Sequence, residues 1–178
     1  GASHTRFEHS LGVMQMATDM FDNIVAKNRK FLEEELSLFE SGIQTYRKII
    51  RLAALLHDIG HAPFSHSGED LMPLVPKTHH NYAEGEEKRY EHEEYSIAII
   101  KTFFKKIIED HPVNDNFRVK VEDVTALLGD KTVRLKATSL LWKELISGQL
   151  DADRADYLLR DSLHLGVNYG VYDKNRLI

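Results

Sequence analysis

Apolar residues recur every three or four positions through most of the chain, the pattern of amphipathic helices. Leu11, Met14, Ala17, Thr18, Phe21, Ile24 and Val25 carry it from Thr5 to about Arg29. Lys30 to Phe39 continues helically through an acidic triplet, and Ser41-Gly42 is expected to break the run. A second helix is expected from about Thr45 to His57. Ile49, Ile50, Leu52, Ala53, Leu55 and Leu56 make it apolar on nearly all sides, as in a central, buried helix. The polar stretch Pro73 to Glu91 reads as a loop or lid. Tyr90 to Ile108 is helical again, with Ile97, Ile100, Phe103, Phe104, Ile107 and Ile108 expected on one face. His111-Pro112 to Arg118 is a connection. Three further helices follow: Val121 to Leu128, closed by Gly129; Lys136 to Ile146, closed by Gly148; and Asp151 to His164, closed by Gly166. No stretch reads as a strand and no repeat is visible. The expected fold is all-α, one irregular multi-helix domain over residues 1–178.

The most informative stretch is Leu52-Ala53-Ala54-Leu55-Leu56-His57-Asp58-Ile59-Gly60-His61-Ala62-Pro63-Phe64-Ser65-His66. A buried helix ends abruptly, and three histidines and a carboxylate follow within ten residues. Unpartnered ionisable groups are costly to bury, so such a cluster points to metal binding or catalysis. At a frayed helix C-terminus, neighbouring His57 and Asp58 can reach one ion. His9, on a separate helix, is a plausible further ligand, or a simple core or surface histidine. Arg6, one turn earlier, can meet a phosphate. Glu91-His92-Glu93 opens the long helix; it is either a solvated acidic helix start or an imidazole oriented by a carboxylate for proton transfer. In Gln149-Leu150-Asp151-Ala152-Asp153-Arg154-Ala155-Asp156-Tyr157-Leu158-Leu159-Arg160-Asp161, helical spacing puts Asp153, Tyr157 and Asp161 on one face.

Composition narrows the chemistry. The net charge of −5 argues against a dedicated nucleic-acid binder. Cysteine is absent, so any metal must use nitrogen and oxygen ligands. No apolar run approaches membrane-spanning length and no signal peptide is visible, so a cytoplasmic protein without a membrane partner is expected. No Gly-rich phosphate loop is present, which rules out P-loop chemistry. The start Gly1-Ala2-Ser3, without an initiator methionine, reads as a piece of a longer protein with flanking regions beyond this sequence.

Taken in order, His4-Thr5-Arg6-Phe7-Glu8-His9-Ser10-Leu11-Gly12, the His57-to-His66 stretch, Glu91-His92-Glu93 and the Asp151-to-Asp161 helix resemble the HD-domain metal-dependent phosphohydrolases. Within these, the set is most similar to the deoxynucleoside triphosphate triphosphohydrolases, and it covers residues 4 to about 173. The resemblance implies that His9, His57, Asp58 and Asp153 ligate a divalent ion. That nitrogen–oxygen set suits Mn²⁺, Fe²⁺, Zn²⁺, Ni²⁺ or, less well, Mg²⁺. It implies His66 and His92 as active-site histidines, Glu93 beside the latter, and His61 near the α-phosphate. Arg6 and Arg154 match phosphate contacts, although many relatives carry lysine at the second. Tyr157 matches the residue under the sugar, and Asp161 the acceptor for the 3′-hydroxyl. The implied substrate is a deoxynucleoside triphosphate and the implied assembly a dimer or tetramer. The alternatives are an HD phosphohydrolase acting on a monophosphate, cyclic dinucleotide or alarmone, and a nucleotide-sensing module with weak catalysis.

Overall fold

A computed structural model describes residues 3–77, 79 and 87–177 of the chain. Helix α1 (Arg6–Glu34) begins at a reciprocal cap. The Glu8 amide donates to Thr5 Oγ1 (3.2 Å), and the Thr5 amide donates back to Glu8 Oε2 (2.6 Å). This cap fixes where the helix starts and so puts His9 one turn in. Helix α2 (Glu40–Leu56) lies against α1 and supplies Ile49, Ile50, Ala53, Ala54 and Leu56 to the core. Short α3 (His66–Glu69) follows the histidine-rich turn. Next come α4 (His92–Ile99), a π-helical turn (Ile100–Phe104) and α5 (Lys105–Glu109), then a 3₁₀ turn (Pro112–Asn116) and α6 (Val121–Leu127). The chain continues through α7 (Ala137–Ser147), α8 (Ala152–Leu165) and the single turn α9 (Lys174–Leu177). The fold is all-α. Among the described residues the only β pairing is an isolated bridge between Leu74 and Arg89.

The core forms where α1, α2, α6, α7 and α8 meet. Phe21, Ile50, Val124, Leu127 and Trp142 are completely buried there, and the Phe21 and Trp142 rings pack tilted at 4.6 Å between centroids. Helices α2 and α8 make the most extensive contacts of α1. The ends of these three helices therefore come together at one edge of the core, and the site is built there.

Two expectations need correction. Ser41-Gly42 breaks nothing: both lie in the first turn of α2, and the missing side chain of Gly42 leaves room for Leu38 to pack beneath it. The break comes earlier, between Glu35 and Phe39, where Ser37 takes a positive φ of 50°. The apolar stripe from Ile97 to Ile108 is also not one face. The π-helical turn rotates the register, so Ile100 and Ile108 are buried while Phe103 and Ile107 are exposed. The expected loop from Pro73 to Glu91 carries no helix where it is described, and residues 78 and 80–86 of it lie outside the described residues.

Candidate active site

A short chain of hydrogen bonds sets the geometry of the histidine-rich turn. Ser96 Oγ on α4 donates to the carbonyl of His57 (2.6 Å) and accepts from the amide of Gly60 (2.9 Å). The carbonyl at the end of α2 and the amide of the turn both gain partners in a buried place. The contact is too tight for a side chain: a Cβ at Gly60 would lie 2.3 Å from both the His92 carbonyl oxygen and the Ser96 nitrogen. Glycine at position 60 therefore lets α4 approach the turn and bring His92 beside His61.

Four groups converge where α1, α2 and α8 meet. His9 Nε2 lies 2.9 Å from Asp153 Oδ1 and 4.0 Å from Asp58 Oδ2. His57 Nε2 lies 3.3 Å from Asp58 Oδ1 and 3.6 Å from Asp153 Oδ1. The N-cap bond from the Arg154 amide to Asp151 Oδ1 (2.9 Å) starts α8 and places Asp153 in its first turn, aimed at the two imidazoles. His57 Nδ1 donates to the Ala54 carbonyl at 2.8 Å, which leaves Nε2 as the lone-pair nitrogen. That nitrogen is buried and has no hydrogen-bond partner. An orphaned lone pair facing two carboxylates and a second imidazole is what a divalent ion satisfies, so the residues fit one. His9, His57 and Asp153 by themselves bring one donor atom each within coordination range of a common point.

Electrostatics agrees with this arrangement. Burial alone would push the His9 pKa down, but hydrogen bonds and charge from Asp153 and Asp156 outweigh it and raise the pKa to about 9. His57 is raised for the same reason, burial opposing and Asp153 and Asp58 prevailing. Burial likewise opposes ionisation of Asp153, but the nearness of the His57 and His9 imidazoles holds the carboxyl far below the usual range.

Beside this set is a second group of imidazoles. The His61 and His92 rings stack at 3.7 Å between centroids, 14° from parallel, and His66 stands edge-on to both. The donor atoms of these three rings are also close enough to suggest an ion. However, an imidazole ligates in its own plane, and two nearly parallel planes this far apart do not both contain one ion. The stack suits proton exchange better. Burial, reinforced by His92, Arg6 and His66 against the pull of Asp58, lowers the His61 pKa to about 4, so this ring is neutral near pH 7. His92 Nδ1 bonds Glu69 Oε1 at 2.5 Å, and His66 Nδ1 reaches the same oxygen at 3.3 Å. Burial of Glu69 is outweighed by these imidazoles, chiefly His92, and its pKa falls below normal.

His9, Asp58 and Asp153 of the first group and all three rings of the second line one cavity of about 620 Å³, together with His4, Arg6, Ser65, Glu93, Tyr157 and Asp161. Arg6 donates to Asp58 Oδ2 and to Ser65 Oγ, both at 2.7 Å. Phe64 and Ser65 hold positive φ values of 69° and 59°, a local strain of about 1–3 kcal/mol each that the Arg6 bond helps to sustain. Tyr157 and Asp161 follow Asp153 along the cavity face of α8, as their spacing requires.

One expected partner, Arg154, lies elsewhere, and a second, Glu93, stands beside His92 but is not its nearest carboxylate. The Arg154 guanidinium turns away to the Gln149 carbonyl (2.9 Å) and lines a different depression, beside Leu158 and Tyr172. Glu93 is half-exposed and 3.4 Å from His92 Nδ1, so the closer carboxylate is Glu69. Glu69 is marked in the sequence only by its spacing, one helical turn after His66. His4 is marked more weakly: its Nε2 lies 3.3 Å from Asp161 Oδ1, while Tyr169 donates to Asp161 Oδ2 at 2.8 Å.

Comparison with known proteins gives the class. The family model described as "HD domain" matches residues 6–161, and the chain belongs to that family, whose members are metal-dependent phosphohydrolases. An uncharacterized protein of Bacillus subtilis, YwfO, is 34% identical over 180 residues, covering 100% of this chain and 33% of the relative. The deoxynucleoside triphosphate triphosphohydrolase SAMHD1 homolog of Dictyostelium discoideum is 33% identical over 167 residues, covering 93% of this chain and 28% of that protein. A phosphohydrolase structure from Bacteroides thetaiotaomicron superposes with a TM-score of 0.62 at 30% identity, covering 97% of this chain and 33% of that one. The chain thus spans about a third or less of the length of these relatives. No helix among the described residues is long and apolar enough to cross a membrane.

Proposed function

We propose that this domain hydrolyses deoxynucleoside triphosphates at the ester between the α-phosphorus and the 5′-oxygen, giving deoxynucleoside and tripolyphosphate. The observation that carries the reading is the shared cavity: a metal-type ligand set, a histidine stack and an aromatic–carboxylate strip face the same space. His9, His57, Asp58 and Asp153 would hold a divalent ion. When bound, such an ion supplies Lewis acidity to a phosphoryl oxygen and lowers the pKa of water.

The remaining steps belong to side chains of this chain. Arg6, half-exposed at the cavity wall, neutralises and orients the phosphates. His92, with Nδ1 fixed by Glu69, carries the proton that the departing 5′-oxygen requires. His61, neutral at physiological pH, accepts or relays a proton without adding a repelling charge beneath His92. Tyr157 lies where a sugar would rest, and its ring leaves little space for a 2′-hydroxyl. Asp161 accepts from the 3′-hydroxyl with the lone pairs that His4 and Tyr169 leave free. Self-association to a dimer belongs to the same proposal.

A second reading is supported by two observations: Arg154 faces away from the cavity, and Asp161 already has two partners. The first removes a phosphate contact and the second weakens the sugar-specific part; together they favour an HD phosphohydrolase on another nucleotide. A panel of deoxyribo- and ribonucleotides, incubated with the Mn²⁺-supplemented protein, separates the two readings. Preferred hydrolysis of deoxynucleoside triphosphates supports the first; hydrolysis of a monophosphate or cyclic dinucleotide alone supports the second.

A further inference from the structure

Asp156 is the aspartate of the α8 motif that the proposed chemistry leaves without a role. It is buried, although charged residues rarely are, and its neighbours are specific. His9 Nδ1 lies 2.8 Å from its Oδ2. Arg160, one turn later on the same helix, grips it with two bonds: Nε to Oδ2 at 2.7 Å and Nη2 to Oδ1 at 2.9 Å. The carboxylate is therefore held from both sides, by an arginine that fixes its plane and by the imidazole it faces.

The space for it comes from α1. A Cβ at Gly12 would lie 1.9 Å from Asp156 Oδ1 and 2.3 Å from Arg160 Nη2. Any side chain there would drive the carboxylate off its position. Gly12 lies three residues after His9, so the segment that offers the imidazole also makes the gap for the carboxylate.

We propose that Asp156 is a positioning residue for the metal site: by accepting from His9 Nδ1–H it fixes the tautomer and ring orientation that point Nε2 toward Asp153, Asp58 and His57, with Arg160 and Gly12 holding it in place. The role rests on the reading of His9 as a ligand. A ligating histidine commonly donates its other ring nitrogen to a carboxylate, and losing such a partner weakens metal binding by about 10- to 100-fold. Asp156 itself touches neither substrate nor ion in this role.

The test uses Mn²⁺ alone as the probe. Titration calorimetry is run on the unmodified protein, His9→Ala, Asp156→Asn, Asp156→Ala and Gly12→Ala, and each metal-free melting temperature is recorded. The expected result is Mn²⁺ binding weakened by about 10- to 100-fold in Asp156→Ala and Gly12→Ala, with a smaller loss in Asp156→Asn, whose amide oxygen still accepts. Imidazole nitrogen NMR of the Zn²⁺-loaded protein provides a second readout that a merely structural role would not move. His9 should carry its proton on Nδ1 in the unmodified protein and Asp156→Asn, and lose that fixed tautomer in Asp156→Ala. Should Asp156→Ala misfold, Gly12→Ala carries the test. Mn²⁺ affinity within about twofold of the unmodified protein in Asp156→Ala or Gly12→Ala, with the His9 tautomer unchanged, overturns the role. Unchanged Mn²⁺ affinity in His9→Ala overturns the ligand assignment beneath it as well.

Discussion

Glu69 Oε1 sits 2.5 Å from His92 Nδ1, closer than Glu93, which is next to that histidine in sequence. A carboxylate on Nδ1 fixes the imidazole and makes it a better proton carrier at its other nitrogen. Glu69→Gln should therefore lower turnover by about 100-fold, while Glu93→Gln leaves it near the unmodified rate. Steady-state kinetics on the two variants decide this, and the reverse order would return the role to Glu93.

The stacked His61–His92 pair gives an acid-sensitivity prediction. The folded-state pKa of His61 is about 4, below the ordinary 6.5. The unfolded chain thus takes up a proton as pH falls below about 6.5, where the folded chain does not, and stability is lost progressively toward pH 4. His61→Gln, which does not titrate, should flatten the decline. Denaturant midpoints at pH 7, 6, 5 and 4 measure it. An equally steep decline in the variant would show that His61 contributes nothing to it.

His9 works in the opposite direction. With its pKa raised to about 9, the imidazolium's bonds to Asp153 and Asp156 stabilise the metal-free fold fully below pH 6.5 and are lost as pH rises through 9. An ion must displace that proton. Mn²⁺ affinity should therefore rise by about tenfold per pH unit between pH 7 and 9. Calorimetry in buffers of different ionisation enthalpy should show proton release on binding. Affinity independent of pH with no proton released would contradict the ligand role of His9.

Gly60→Ala should be among the costlier single changes in the chain. The new methyl would collide with backbone atoms of His92 and Ser96, which lack the freedom of a flexible side chain. A loss of about 3 kcal/mol follows from overpacking of this kind, together with separation of His92 from His61. Chemical denaturation reads the first effect. An unaltered midpoint would mean that α4 approaches the turn less closely than described.

Much of this architecture is readable in the chain before any coordinates. Gly129 and Gly166, at φ values of 88° and 68°, end helices where their lack of a Cβ predicts. The apolar run into His57-Asp58 identifies both the buried helix and the site at its end. What escapes is set by tertiary approach. A π-helical turn is invisible to a 3.6-residue period, so Phe103 and Ile107 were assigned to the wrong side. Likewise, adjacency in sequence suggests Glu93 for His92, and the family resemblance implies a phosphate for Arg154. The close contact at Gly60 brings α4 against the turn beside α3 and supplies Glu69 instead, while Gln149 captures Arg154. The pairing of Asp156 with His9 depends on α1 and α8 closing at Gly12, which no local spacing encodes.

The most direct test of the central claim is product analysis by phosphorus NMR and anion exchange. Mn²⁺-supplemented protein is incubated in parallel with the four deoxynucleoside triphosphates and their ribose counterparts, alongside Asp161→Ala. The expected first products are tripolyphosphate and deoxynucleoside, with slower turnover of the ribose series and a loss in Asp161→Ala of the size expected for an unpaired buried hydroxyl, about 1–3 kcal/mol or roughly 5- to 150-fold. Release of orthophosphate or pyrophosphate first, or equal turnover of both sugar series by the unmodified protein, would contradict the claim.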